Sequence, residues 1–176
     1  MADWPDAERP EVLLHYSEDP KISVFAPHVP CTNPTEQPAV WALDLAHAPL
    51  YWFPRDCPRA AVWAKDDEQR ARLAERFVTT ASRVQWAPRS WVDRIRECTL
   101  YEYRFDPGPF APWPDAEGQW IAHSPVSVVG VAPVGDLIAR QARHGVDLRL
   151  VADIALVRDT VVTSRLPFSI VRYGDR

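Results

Sequence analysis

Two short apolar runs, Ala39 to Leu43 and Ala60 to Ala64, enclose a connector that no ordinary turn needs, and this block does most to limit the folds open to the chain. Each run has the length and composition of a buried strand. Between them lies DLAHAPLYWFPRDCPR, rich in Pro, Trp, Tyr, Arg and Cys where generic connectors use Gly, Ser and Asn. Trp41, Tyr51, Trp52, Arg55 and Arg59 in one short stretch point to a site beside the strands as well as a link between them. Val40 to Leu43 is read as sheet and core, and Tyr51 to Arg59 as the place for ligand contacts.

The rest of the chain supplies enough apolar material for one continuous core. With 176 residues, 47% of them hydrophobic, a single domain over 12–176 is expected, preceded by a flexible leader, Met1 to Glu11, whose proline and acidic residues have nothing to bury. The net charge is −4, with basic residues interspersed among acidic ones, so no surface for a phosphate backbone is expected. No apolar run approaches membrane-spanning length, which makes the cytoplasm the default compartment and excludes a membrane partner. Cys31, Cys57 and Cys98 are sparse and lack a C-x-x-C spacing, so they read as reduced thiols. His28 and Cys31 have ligand-like spacing but no second pair to complete a metal site, and no metal is expected.

Along the chain, Val12 to Tyr16 reads as a first strand with His15 near its end. Ile22 and Phe25 stand at helical spacing, and Pro27 to Pro38 reads as an irregular loop. Asp44 can cap a short helix that Pro49 limits. Asp66 is the expected cap of the longest helix, with Gln69 completing a capping box and Leu73, Ala74, Phe77 and Val78 on its buried face. Ser90 is the expected cap of WVDRIRE. Leu100 to Phe105 alternates, placing Tyr101, Tyr103 and Phe105 on one face, and the all-apolar Val126 to Ala132 is expected to be a central strand. Asp136 and Gly145 bracket a further helix, followed by VDLRLV, a helix within Ala152 to Thr163, and a closing strand, FSIVRY. Strands at the start, middle and end with irregularly inserted helices predict an α+β fold, with mixed, mainly antiparallel sheets and peripheral helices. Phosphate-cradling glycine loops, a G-x-S-x-G elbow and an H-E-x-x-H helix are all missing.

HYSEDP, VWALD and PRDCPR together resemble a short bacterial family of unknown function. More distantly, the order of a His-bearing strand, VWALDLAHAPLYW, YEYRFDPGPF and QWIAHSPVSVVGVAPV resembles the small ADP-ribosyltransferase-like domains, in particular the rifampin-inactivating ones. That resemblance implies NAD as co-substrate, with ADP-ribosyl transfer or NAD glycohydrolysis as the reaction. It assigns the ribose to His15, the stacking ring to Trp41 or Tyr16, and the acid to Asp115 or Glu117. Breaking the nicotinamide–ribose bond develops positive charge that such an acid stabilises. Gln119 stands where many members carry Glu, and Trp41 where they carry Tyr, so a non-catalytic small-molecule or nucleotide-binding module is the alternative.

Arg55 and Arg59, flanking Cys57, leave three readings open. They clamp a pyrophosphate or carboxylate of the ligand, activate the thiol with His15 or His47 as base, or pair with acids to hold a turn. The expected partner is a small molecule, without nucleic acid or membrane, and a protein partner is left open.

Overall fold

In the computed structural model, residues 9–29 and 37–172 are described. The first strands are β1 (Leu13–Ser17), β2 (Val24–Phe25), β3 (Val40–Leu43) and β4 (Arg59–Trp63), followed by helix α1 (Asp67–Phe77) and β5 (Arg83–Pro88). Helix α2 (Val92–Glu97) leads to β6 (Tyr101–Phe105), β7 (Ala111–Pro112), β8 (Gln119–Ala122), β9 (Val126–Ser127) and β10 (Gly130–Pro133). Helix α3 (Leu137–Arg143), β11 (Val146–Val151), α4 (Ala155–Val162) and β12 (Phe168–Val171) complete the order. The fold is α+β and mainly antiparallel, as composition and patterning predict; β11 with β5 is the parallel pair among the described strands.

The chain divides into two compact units, each assembled from two separate stretches: 1–48 with 100–133, and 49–99 with 134–176. The first holds a six-stranded sheet ordered β10-β6-β1-β3-β8-β7, together with the two-stranded pair β2-β9. The alternation of β6 determines its packed face. Leu13 stands opposite Phe105 and His15 opposite Tyr103, and Ala42 and Val40 continue that face into Trp120 and Ala122. Leu13, Tyr103, Phe105, Trp120 and Val126 form its core, onto which Phe25 packs from β2. The Tyr103 hydroxyl finds its partner by donating to the Asp19 carbonyl.

The second unit is a four-stranded sheet, β11-β5-β4-β12. All five residues of β4 are buried, consistent with its lack of alternation. Helix α1 starts as its cap predicts: the Gln69 amide donates to Asp66 Oδ1 at 2.7 Å. The reciprocal bond of the box goes one residue further out, from the Lys65 amide to Gln69 Oε1 at 3.1 Å. Leu73 and Phe77 then bury against Val84 and Trp86, closed from the other segment by Ile154, Val161 and Leu166. Asp136 caps α3 through Ala139, and Gly145 takes φ +67° just beyond its end.

Several local expectations need correction. Ile22 to Phe25 is no helix, because Val24–Phe25 pairs with Val126–Ser127. Val126 to Ala132 is not a central strand: it breaks into β9 and β10, and β10 forms an edge, with its Val131 47% exposed and Val129, just before it, 65% exposed. Ser90 does not cap α2, since a 3₁₀ turn at Arg89–Trp91 runs directly into the helix and leaves it without a side-chain cap. Asp44 caps a turn at 45–47 by accepting the His47 amide, and the short helix that follows is a 3₁₀ helix, Ala48–Tyr51. Cys31 and most of the leader lie outside the described residues. No helix among the described residues is long and apolar enough to cross a membrane.

Candidate functional site

The two faces of the six-stranded sheet separate the residues that sequence grouped together. His15 lies on the packed face, 4.7 Å ring to ring from Phe25. Its Nδ1 sits 2.8 Å from the Trp41 carbonyl oxygen, which can only accept, so Nδ1 carries the proton. Tyr16, one residue on, points to the opposite face. The register that sets Leu14 against Leu43 and Trp41 against Ile121 brings Trp41 and Gln119 to that face as well. Glu102, opposite Tyr16 on β6, completes a row across neighbouring strands.

That row is chemically mixed. Tyr16 and Trp41 are half-buried, and Trp41 meets Trp113 edge-on at 4.8 Å. Glu102 is only 5% exposed. Its Oε2 accepts the Tyr16 hydroxyl at 3.0 Å, and its Oε1 accepts Nε and Nη2 of Arg104 at 3.1 and 3.0 Å. Trp41 Nε1 is buried and makes no hydrogen bond among the described residues. A buried indole N–H without an acceptor is uncommon and marks a place where a ligand acceptor would gain a bond. Sequence reading overlooked Glu102. The alternation that put Tyr101, Tyr103 and Phe105 inside was the signal for its face but carried no information on its burial.

Asp115 and Glu117 are exposed in the turn between β7 and β8, where Trp113 donates to the Gln119 carbonyl at 2.8 Å. The same turn holds a buried arrangement of another kind. His47 Nδ1 donates to Asp44 Oδ1 at 2.8 Å, and the Asp44 amide donates to the Gly118 carbonyl at 3.0 Å. Gly118 has φ +76°, and a Cβ there would lie 2.0 Å from His47 Nδ1, so only glycine lets the imidazole rest on the turn. Sequence reading took Asp44 as the cap of the short helix, whereas it caps the turn before it, and did not pair its side chain with the imidazole.

Arg55 and Arg59 belong to the second unit and diverge. Arg55 is exposed, while Arg59 is buried at the start of β4. Cys57 is also buried, and burial, only partly opposed by Arg59, pushes its thiol up to about 12. A thiol so held is protonated at neutral pH, which removes the support for a Cys57 nucleophile. Among the described residues no cluster of three or more His, Cys, Asp or Glu side chains could hold a metal ion.

Residues 14–175 match the model of DUF6886, a family of unknown function. The chain belongs to that family. No curated protein and no solved structure matches it significantly. The DUF6886 match spans both units, so both Glu102 and Arg59 lie within the family's extent.

Proposed function

We propose that the protein is a small-molecule-binding module whose recognition surface is the sheet face carrying Tyr16, Trp41 and Gln119. The observation that carries the reading is the buried Trp41 N–H, which has no acceptor among the described residues, in a row with a half-buried Tyr and a buried carboxylate. Aromatic rings with one donor and one acceptor suit a planar heterocycle bearing a sugar. NAD is the first ligand to try, because the motif order resembles that of ADP-ribosyltransferase-like domains. His15 enters this reading as a positioning residue, because its bond to the Trp41 carbonyl orients the strand that presents the indole.

A second reading, NAD glycohydrolysis or ADP-ribosyl transfer, is favoured by one observation. Glu102 is a buried carboxylate on the proposed ligand face, better placed than the exposed Asp115 and Glu117 to stabilise positive charge developing on a ribose.

Calorimetric titration with NAD and a nicotinamide-release assay test both readings. Binding by the wild type, weakened at least tenfold in Trp41→Ala, is expected, since base–aromatic stacking contributes about 1–3 kcal/mol. Absence of heat at millimolar NAD would overturn NAD as the ligand. Nicotinamide release that falls in Glu102→Gln would replace the binding reading with the catalytic one.

A further inference from the structure

The second unit has an open cavity of about 810 Å³, within the range of small-molecule sites. Residues between Ala74 and Ala81, at the end of α1 and in the turn after it, line one side, and residues between Ala142 and Asp147, at the end of α3 and the start of β11, line the other. Val78 makes the first wall unusual. Its spacing on α1 is core-facing, yet it is 87% exposed, because the chain turns left-handed there, with φ +49° and ψ +62°. A β-branched residue in that conformation is strained, and helices commonly place glycine at such a point. The turn is held by the Val78 and Thr79 amides, which both donate to the Ala74 carbonyl, and by Arg149, which donates to the Phe77 carbonyl at 2.6 Å. The strain puts an isopropyl group on the cavity wall, which glycine would not supply.

The second wall carries the charge. Asp147 is the one formally charged side chain among the described lining residues. Its Oδ2 accepts the Thr79 hydroxyl at 2.8 Å and Nε and Nη2 of Arg149 at 3.2 and 2.7 Å, whereas its Oδ1 accepts no hydrogen bond among the described residues. The carboxylate is therefore saturated on one oxygen and open on the other. The negative end of the α1 macrodipole lies at the same cavity and favours a cation there. Nearby cations do not fill that place. Arg149 is tied to Oδ2 and the Phe77 carbonyl, Arg76 donates to the Thr160 carbonyl and the Thr163 hydroxyl, and Arg143 is not among the lining residues.

We infer that this cavity binds a small organic cation, an ammonium on a short apolar body, with Oδ1 of Asp147 taking the ammonium and Val78 covering the apolar part. An anion would meet a carboxylate and the carbonyl end of a helix, and a wholly apolar ligand would cover Oδ1 without giving it a donor. The inference is drawn from the second unit alone, so failure of NAD to bind the aromatic face leaves it intact.

The test uses the full chain and butylammonium, with butanol and butyrate as neutral and anionic probes of the same body, followed by amide NMR at matched ionic strength. Butylammonium should give saturable shifts at the amides of residues 78–81 and 145–147. Butanol should bind there about tenfold more weakly, the share of one hydrogen bond between charged groups, and butyrate should leave these amides unmoved. Asp147→Asn should bring butylammonium down to the butanol level. Val78→Gly should raise the thermal midpoint by relieving the left-handed valine, and should weaken butylammonium and butanol alike by about fourfold, the share of one buried methylene. Shifts that do not saturate, or that fall elsewhere, would overturn the site. Equal binding of butanol, or undiminished binding of butylammonium by Asp147→Asn, would overturn the cation assignment, and undiminished binding by Val78→Gly would overturn the role given to Val78.

Discussion

The two units handle a guanidinium on a strand in opposite ways. On β6 of the first, Arg104 is exposed and its partner Glu102 is buried, so water shares the cation while protein donors hold the anion. On β4 of the second, the cation is buried and its protein partners are neutral carbonyls. The first arrangement is locally complete and reads as support for the Tyr16 hydroxyl. The second holds its cation on neutral carbonyls beside the rings of Tyr51 and Phe53. The second unit is not short of carboxylates in general: Asp147 on β11 takes Nε and Nη2 of Arg149 at 3.2 and 2.7 Å.

The sharpest way to break this comparison is Arg59→Ala. Two buried carbonyls, of Leu50 and Cys57, would lose their donor together, and urea unfolding should show a loss of about 3 kcal/mol. A loss below about 1 kcal/mol would mean that Arg59 is better solvated than its burial implies. Glu102→Gln is the milder counterpart. It keeps an acceptor for the Tyr16 hydroxyl and leaves Arg104 in water, so about 1 kcal/mol is expected, and a larger loss than for Arg59→Ala would reverse the ranking of the two sites.

The smallest effect belongs to the locally paired Asp147 and shows as a pH dependence. Hydrogen bonds from Arg149 first, and also from Thr79, hold its carboxyl below the usual 3.8 despite the opposing effect of partial burial. A depressed folded pKa means stabilisation that is full above the unfolded value and is lost as pH falls through the folded one. The midpoint difference between wild type and Asp147→Asn should therefore be constant above about pH 5 and shrink below about pH 4. A difference that grows on acidification would contradict the pairing.

Much of the secondary structure was legible because its signals are local. Asp66 and Gln69 at the start of α1, Asp136 and Gly145 around α3, and the alternation through Tyr101, Tyr103 and Phe105 depend on neighbours a few residues away. Val126 to Ala132 misled because an apolar run does not tell whether a strand has partners on both sides, and β10 has one. Within the candidate sites, Tyr16, Trp41 and Gln119 share a face through strand register, which no local pattern encodes. His15 was separated from Trp41 by the strict two-residue period of a strand, although its ring bonds to the Trp41 backbone. The significance of Glu102 and Arg59 depends on burial and on which charges stand opposite, both set by residues more than eighty positions away in the case of Glu102.

The division of each unit into two stretches has a consequence for how the protein is made. During synthesis the first half of the six-stranded sheet emerges, then β4 and β5, then the remainder of the first sheet, and β11 and β12 come last. The nascent chain must keep β4, a strand buried along its whole length, unpaired on its β12 side until Phe168–Val171 has left the ribosome. No cut leaves either unit as one contiguous fragment, and a chain stopped short of Phe168 carries an open apolar edge beside Arg59.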